Sequence, residues 1–185
     1  MRSEKEKMLA GELYLAADPE LAAERRRARR LTRLYNNSTE DEVDQRVQLL
    51  KELFGAVGPR VEIEPPFRCD YGSHIYAGDG LFINFGCVIL DCGPVKIGRE
   101  CMFGPDVHIY AASHPIDPAA RCAGPEYGSF VTIGDRVWLG GGVKICPGVT
   151  IGDSAVIGAG SVVTKDIPPR VVAAGNPCRV IRAIP

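Results

Sequence analysis

The sequence predicts a mainly β protein: a parallel β-helix built from six-residue repeats, preceded by a small helical subdomain. Six consecutive units begin at Ile133, and each opens with an aliphatic residue and carries a small or β-branched residue four places later. A fixed short period with turn residues in every unit is typical of a solenoid. Six residues fit neither the heptad nor the 3.6-residue helical period, but they suit short strands separated by corners, three strands to a coil.

The first sixty residues differ from the repeats and predict a helical subdomain over residues 1–60. Asp18 supplies a good N-cap before Pro19, and the basic helix that follows reaches about Leu34. After an Asn- and Ser-rich break, a second helix carries apolar residues near helical spacing, namely Val43, Val47, Leu50 and Phe54. We expect these helices to pack against the solenoid, which fills residues 61–185.

The six-residue pattern can be followed upstream of Ile133, and it fails in one long segment. It recurs from Ile97 to Ile109, after a slip of two residues around Gly93 that indicates a bulged corner. From Ile109 to Ile133 the spacing remains a multiple of six, but the segment is rich in Pro and Ala and has no aliphatic pattern. We therefore expect residues 110–130 to form a loop extruded from the solenoid, where function is often found. A short basic strand or tail closes the chain.

Composition disfavours several function classes. The 22 basic and 23 acidic residues nearly cancel, so no global field favours nucleic acid or a membrane surface. No apolar run approaches the length of a membrane span, and the charged N-terminus lacks the apolar core of a signal peptide. The seven cysteines form no Cys-x-x-Cys pair, which favours reduced thiols in the cytoplasm over disulfides or a zinc site.

Short motifs spread over nearly the whole chain carry a family resemblance: Lys7–Tyr14 (KMLAGELY), Tyr35–Asn37 (YNN), Phe67–Gly72 (FRCDYG), Ser113–Pro115 (SHP), Val162–Asp166 (VVTKD) and Gly175–Arg179 (GNPCR). With them the sequence resembles the maltose, galactoside and nodulation-type sugar O-acetyltransferases of the hexapeptide-repeat acyltransferase superfamily, in particular the maltose enzymes. The resemblance implies a left-handed β-helix, a homotrimer with active sites between subunits, acetyl-CoA as donor and no required metal. The implied acceptor is a sugar such as maltose or glucose, at its primary 6-hydroxyl.

Acetyl transfer to a hydroxyl requires a base, and His114 is the natural candidate. Imidazole titrates near neutral pH and can return the proton to the departing thiolate, and His114 lies at the root of the predicted loop. Glu126, at the far end of that loop, could hydrogen-bond His114 or the sugar. The resemblance implies that Asn84 faces the catalytic histidine of the adjacent subunit and stabilises the transition state. A covalent route through a cysteine is disfavoured, because no cysteine is paired in sequence with an evident base.

Four residues are candidates for binding the acceptor. Carboxylates suit sugars because they accept two hydroxyl donors, and Asp91 could orient substrate hydroxyls in this way. The resemblance implies acceptor contacts for Asp70 and for an arginine of the first long helix, which Arg25 matches best. It also implies an aspartate in the preceding turn. Ala16 occupies that position here, and Asp18 follows two residues later.

The coenzyme needs cations and backbone donors for its phosphates. The resemblance implies that Thr164, Lys165, Arg179 and Arg182 bind its nucleotide end. The pantetheine arm would run past Trp138 and the small residues Gly141 and Ala159. Related enzymes often have serine at the position of Gly141, so one hydrogen bond would be missing.

Three alternatives remain open. The acceptor could be a galactoside or another hydroxyl compound. A γ-class carbonic anhydrase shares the solenoid and binds zinc through three histidines contributed across a trimer interface, and this chain has three, at positions 74, 108 and 114. His108 and His114 lie on the order of 15–20 Å apart along an extended chain, so they cannot easily share one metal within a subunit. Finally, the solenoid could be a scaffold without catalytic activity.

Overall fold

The computed structural model describes residues 2–185, which form four helices and nineteen short strands. The helices are α1 (Glu4–Leu9), α2 (Pro19–Asn36), α3 (Val43–Leu53) and α4 (Pro118–Cys122). Within residues 2–185, no helix is both long enough and apolar enough to cross a membrane.

Three sheets form the walls of a solenoid of about six turns. The first sheet contains β1 (Ala56–Val57), β4 (Ile75–Ala77), β7 (Val95–Ile97), β12 (Val131–Ile133) and β15 (Thr150–Ile151). The second contains β2 (Glu62–Ile63), β5 (Phe82–Ile83), β8 (Met102–Phe103), β13 (Trp138–Leu139), β16 (Val156–Ile157), β18 (Val171–Ala174) and β19 (Arg179–Ala183). The third contains β3 (Arg68–Cys69), β6 (Val88–Leu90), β9 (His108–Tyr110), β14 (Lys144–Ile145) and β17 (Val162–Val163).

Each coil visits the three sheets in turn, and strands of successive coils pair in parallel. The exception is β19, which folds back antiparallel on β18 and gives the short basic strand predicted at the end of the chain. A separate antiparallel hairpin, β10 (Ala112–Ser113) with β11 (Tyr127–Gly128), lies at the base of the predicted loop.

The six-residue period is explained by which side chains point into the solenoid. The aliphatic residue that opens a unit and the small residue four places later are both buried, as at Ile133 and Val137 or Ile151 and Ala155. Burying one such side chain stabilises the fold by about 1.5–3 kcal/mol, so the repeat supplies a continuous core. Ser161 is the polar residue at such a position, and it is satisfied: its hydroxyl donates to the Gly158 carbonyl and accepts from the Gly175 amide. The predicted solenoid is therefore confirmed.

Glycine is required where two corners stack directly. A Cβ placed on Gly98 would lie 2.5 Å from the carbonyl of Gly134 on the next coil. No side chain can occupy that space, so backbone packs on backbone at this corner.

The helical segment forms mostly as predicted. Asp18 caps α2, and the helix runs two residues beyond the predicted end. In α3 the predicted stripe is right for Leu50 and wrong for Val43, whose side chain is 60 % exposed, because the first turn of α3 borders an open groove instead of the core. The buried face of α3 is formed by Leu49, Leu50 and Leu53. Strand β1 falls within the predicted helical segment and already pairs with β4 of the solenoid.

One corner of the solenoid is enlarged, and it carries most of the candidate site. The chain passes there from the third sheet to the first, through residues 70–74, then 91–94, then the loop 111–130. The predicted slip around Gly93 lies in this corner, where a Cβ on Gly93 would meet the Ser129 carbonyl at 2.6 Å. The extra residues therefore pack the extruded loop against the coil below it.

Candidate active site

The base of the extruded loop positions His114 opposite Glu126. In the β10–β11 hairpin, Ala112 pairs with Gly128 and Ser113 with Tyr127, so the next pair outward is His114 and Glu126. The His114 Nε2 atom lies 3.6 Å from the Glu126 Oε2 atom. The imidazole is 56 % exposed and the carboxylate 16 % exposed, so a reactant can reach the ring while the carboxylate is shielded.

Tyr14 anchors Glu126 from the N-terminal segment. Its hydroxyl donates to Glu126 Oε1 at 2.8 Å, and the two backbones exchange N–H···O bonds of 3.0 and 3.1 Å. Burial raises the pKa of Tyr14, so the phenol stays protonated and remains a donor. One oxygen of Glu126 is thus held by Tyr14 and the other faces His114. Sequence reasoning missed this role, since Tyr14 stood out only as the end of a motif.

Asp70 lies beside this pair in a partly buried polar cluster. The Cys92 thiol donates to Asp70 Oδ2 at 3.5 Å. Burial raises the pKa of Asp70 and the hydrogen bond from Cys92 lowers it; the Glu126 carboxylate raises it further, while Arg25 and Arg29 oppose the shift. The predicted acceptor-binding carboxylate of Asp70 therefore lies near enough to Glu126 for the two negative charges to repel.

Arg25 forms the other side of the cluster. Its Nη1 atom donates to the Tyr71 hydroxyl at 2.7 Å and its Nη2 atom to the Ala16 carbonyl at 2.5 Å. The guanidinium also lies over the Tyr71 ring, 5.6 Å from the centroid. Burial raises the pKa of Tyr71 to about 12, so its hydroxyl remains protonated at neutral pH. Tyr71 was not identified as a site residue from the sequence.

Asp91 does not have the acceptor-binding role predicted for it. Its side chain is fully buried; Oδ1 accepts from the amides of Asp70 and Tyr71, and Oδ2 from the amide of His74. Burial raises the pKa of Asp91 to about 6. The enlarged corner leaves backbone N–H groups without sheet partners, and this carboxylate satisfies them. The prediction was therefore wrong: Asp91 holds the corner together and cannot reach a substrate.

Asp18, which is predicted to contact the acceptor, is the N-cap residue of α2. Its carboxylate accepts from the amides of Glu20 and Leu21 at the start of α2. The turn before α2 approaches the cluster through the Ala16 carbonyl, which Arg25 contacts. The acceptor contact of Asp18 stays a prediction.

Asn84 lies at a different corner, between the second and third sheets. Its Oδ1 atom accepts from the Phe85 amide at 2.7 Å, and within residues 2–185 its Nδ2 atom has no protein partner. Among residues 2–185, no hydrogen bond or ion pair joins Asn84 to His114. Its role opposite a histidine of an adjacent subunit therefore stays a prediction.

The residues predicted for the coenzyme occupy the outer surface towards the C-terminal end. Trp138 is 52 % exposed on the second sheet. Gly141 and Ala159 lie on successive coils at one corner, where the Gly160 amide donates to the Gly141 carbonyl at 2.9 Å. A Cβ on Gly141 would lie 3.4 Å from Pro105, an ordinary contact, so space for serine exists at this position.

The cationic candidates lie on the last turn. Thr164 and Lys165 are exposed and follow β17. Within the described chain, the Arg179 and Arg182 guanidinium groups donate only to backbone carbonyls, and neither has an acidic partner. These charges are available to an anion such as a phosphate.

The thiols and the other two histidines have local structural surroundings. All seven cysteines are free, and burial raises the pKa of both Cys87 and Cys101 to about 11. The His74 Nδ1 atom lies 2.8 Å from the Asp91 carbonyl, and the His108 Nδ1 atom lies 2.8 Å from the Tyr110 hydroxyl. Residues 2–185 contain no group of three or more His, Cys, Asp or Glu side chains arranged for a metal ion.

A hexapeptide solenoid that carries an exposed histidine beside a carboxylate on an extruded loop defines the class of hexapeptide-repeat acyltransferases. Comparison with known proteins identifies the family. Residues 7–58 match the maltose acetyltransferase hexapeptide capping motif, and residues 130–165 match the bacterial transferase hexapeptide pattern of six repeats. The chain belongs to the maltose and galactoside acetyltransferase family.

Several relatives resemble the chain over nearly its full length. Nodulation protein L of Rhizobium meliloti is 52 % identical over 97 % of this chain and 98 % of the relative. The crystal structure of a maltose O-acetyltransferase from Clostridium difficile 630 superposes with a TM-score of 0.98 at 55 % identity, covering 100 % of this chain and 98 % of the other. A galactoside acetyltransferase in complex with coenzyme A gives a TM-score of 0.96 at 44 % identity, covering 100 % and 92 %.

Family membership settles two of the expectations from the sequence. The solenoid is the left-handed β-helix of these enzymes, and the protein is an acyltransferase. Acyl transfer is favoured over the carbonic anhydrase alternative.

Proposed function

We propose that the protein transfers the acetyl group of acetyl-CoA to a hydroxyl of a sugar, with the primary 6-hydroxyl of maltose or glucose as the leading acceptor. The observation that carries the proposal is the exposed His114 held beside Glu126, with Asp70 and Arg25 next to them. A relative of 44 % identity binds coenzyme A, which supports a coenzyme A thioester as donor.

His114 acts as the general base. Glu126 faces one ring nitrogen and leaves the other for the acceptor hydroxyl. The histidine takes the hydroxyl proton while the oxygen attacks the thioester carbonyl, and a tetrahedral intermediate forms. When the C–S bond breaks, the imidazolium returns the proton to the thiolate, which yields the acetyl ester and coenzyme A.

Asn84 stabilises the oxyanion of that intermediate from an adjacent subunit of a homotrimer. The unengaged Nδ2 atom of Asn84 supports this role, because an amide N–H is a suitable oxyanion donor. Exposed apolar side chains nearby support an assembly, since Phe85, Met102 and Trp138 are each more than half exposed in the single chain. The active site would then be complete only between subunits.

The acceptor and the coenzyme would each bind to a different set of residues around His114. Asp70 and Arg25 would bind acceptor hydroxyls. The backbone corner at Gly141 and Ala159, next to Trp138, would receive the pantetheine arm, and the nucleotide phosphates would lie near Thr164, Lys165, Arg179 and Arg182. No metal is needed for these steps. Seven free cysteines support a reducing, cytoplasmic location.

The test measures release of the coenzyme A thiol over a panel of acceptors: glucose, maltose, a β-galactoside and a blank. We expect acceptor-dependent release with maltose or glucose, and NMR of the product should place the ester on the primary hydroxyl. Preference for the galactoside would correct the acceptor within the same mechanism. Titration calorimetry with coenzyme A tests the scaffold alternative, and absence of both binding and thiol release would overturn the proposal.

A further inference from the structure

A groove bordered by three arginines lies next to the cluster of Asp70, Arg25 and Glu126. It runs between α2 and the outer face of the third sheet, has a volume of about 540 Å³, and is bordered by Arg29, Arg33, Arg68, Asp70, Val88 and Leu90. A volume of this size lies within the roughly 300–1,000 Å³ usual for small-ligand sites. The groove can therefore hold a molecule larger than a single sugar ring.

Three guanidinium groups border this groove without an acidic partner. Within residues 2–185, the side chains of Arg29, Arg33 and Arg68 make no hydrogen bond and no ion pair, although other exposed arginines are paired, such as Arg60 with Asp79 at 2.6 Å. Arg29 and Arg33 are four residues apart on one face of α2, and Arg68 approaches from β3. The positively charged side chains of α2 and β3 therefore border the same groove.

The groove meets the catalytic cluster at Asp70. Asp70 borders the groove; the Glu126 carboxylate raises the pKa of Asp70 and the Arg29 guanidinium lowers it, and Glu126 faces His114. The opposite wall contributes the aliphatic side chains of Val88 and Leu90, which suit the apolar face of a sugar ring. An acceptor whose hydroxyl reaches His114 would therefore extend past Asp70 towards the three arginines.

We infer that the preferred acceptor extends beyond the sugar unit that is acetylated and carries an anionic group, a carboxylate, phosphate or sulfate, that lies against Arg29, Arg33 and Arg68. Guanidinium groups bind such oxyanions through paired, charge-assisted hydrogen bonds. The inference rests on the proposed function, because it names the substrate class of that same site. It assigns the unpaired arginines to the acceptor and not to the coenzyme.

The test compares maltose with maltobionate, which keeps the non-reducing glucose and its hydroxyls and replaces the reducing-end ring with an open chain that ends in a carboxylate. We expect the wild-type protein to have a higher kcat/KM for maltobionate at low salt, and the advantage to shrink as salt increases. The double variant Arg33→Gln, Arg68→Gln should lower the maltobionate-to-maltose ratio about tenfold. The matched control Arg26→Gln, Arg30→Gln removes the same charge from a separate surface of α2 and should leave the ratio unchanged.

Each other outcome has a distinct meaning. An unchanged ratio with normal turnover of maltose would overturn the inference and leave the proposed function standing. A raised KM for acetyl-CoA in the Arg33, Arg68 variant, with no change in the ratio, would assign the arginines to a coenzyme phosphate and also overturn it. Absence of turnover with every sugar would overturn the proposed function. Calorimetry then tests the groove directly, since wild-type protein that binds maltobionate no better than maltose contradicts the inference.

Discussion

We predict that Tyr14, although far from the loop in sequence, affects kcat through its contact with Glu126. Glu126→Gln removes a charge 3.6 Å from the His114 ring. That attraction is about 1 kcal/mol at the dielectric of water and about 5 kcal/mol at an effective dielectric of 20. Because the ring is 56 % exposed, the lower end applies, and a loss of about 1–2 kcal/mol corresponds to an approximately 5- to 30-fold fall in kcat.

Tyr14→Phe leaves the charge of Glu126 in place and removes its anchor. We expect a smaller fall in kcat, because the backbone pairing of the two residues still holds the carboxylate near His114. Loss of a hydrogen bond to a charged group should lower the free energy of unfolding by about 1.5–3 kcal/mol. In the matched control Tyr35→Phe, a buried hydroxyl that donates to the Ile63 carbonyl is lost, so stability should fall without loss of kcat.

A double-mutant cycle measures the coupling. Steady-state kinetics and urea unfolding are recorded for the wild type, Tyr14→Phe, Glu126→Gln and the double variant. If Tyr14 acts through the carboxylate, Tyr14→Phe should change kcat little in the Glu126→Gln background. Additive losses of kcat in the double variant, or full kcat in Tyr14→Phe despite lower stability, would refute the reasoning.

Three further predictions concern the corner, the metal and the assembly. Burial raises the pKa of Asp91 from 3.8 to about 6. The protonated carboxyl therefore stabilises the folded state at low pH, and this contribution is lost as pH rises from about 4 through 6. The unfolding free energy of the wild type should therefore fall by about 2 kcal/mol between pH 4 and pH 6 relative to Asp91→Asn, and parallel curves in urea titrations would contradict this. Treatment with a chelator should leave thiol release unchanged, and loss of activity restored by zinc would reopen the metal-dependent alternative. Light scattering should give the mass of a trimer, and Asn84→Ala should lower kcat while that mass is kept; an active monomer would show that no adjacent subunit is needed.

The solenoid could be predicted because its signal is local and repeated. Each unit carries its own inward pair, such as Ile133 with Val137, and the failure of that pattern after Ile109 located the loop without knowledge of any contact. The left hand of the coil came only from family resemblance, since the usual physical rule favours right-handed crossovers.

The site was harder to predict because its contacts are non-local. Tyr14 and Glu126 are 112 residues apart, and no periodicity encodes their pairing. Asp91 illustrates the opposite error. Its carboxylate suggested a contact with sugar hydroxyls, yet unpaired amides of the enlarged corner require an acceptor, and the carboxylate turns inward to bind them.

The central claim, that His114 is the base for acetyl transfer to a sugar, is tested most directly by His114→Ala measured in two ways. Thiol release with acetyl-CoA and the best acceptor should fall by about 10²- to 10⁴-fold, the usual contribution of a general base. Calorimetric binding of coenzyme A should remain at the wild-type affinity, because no predicted coenzyme contact involves this ring. Near-normal turnover by the His114→Ala variant would contradict the account.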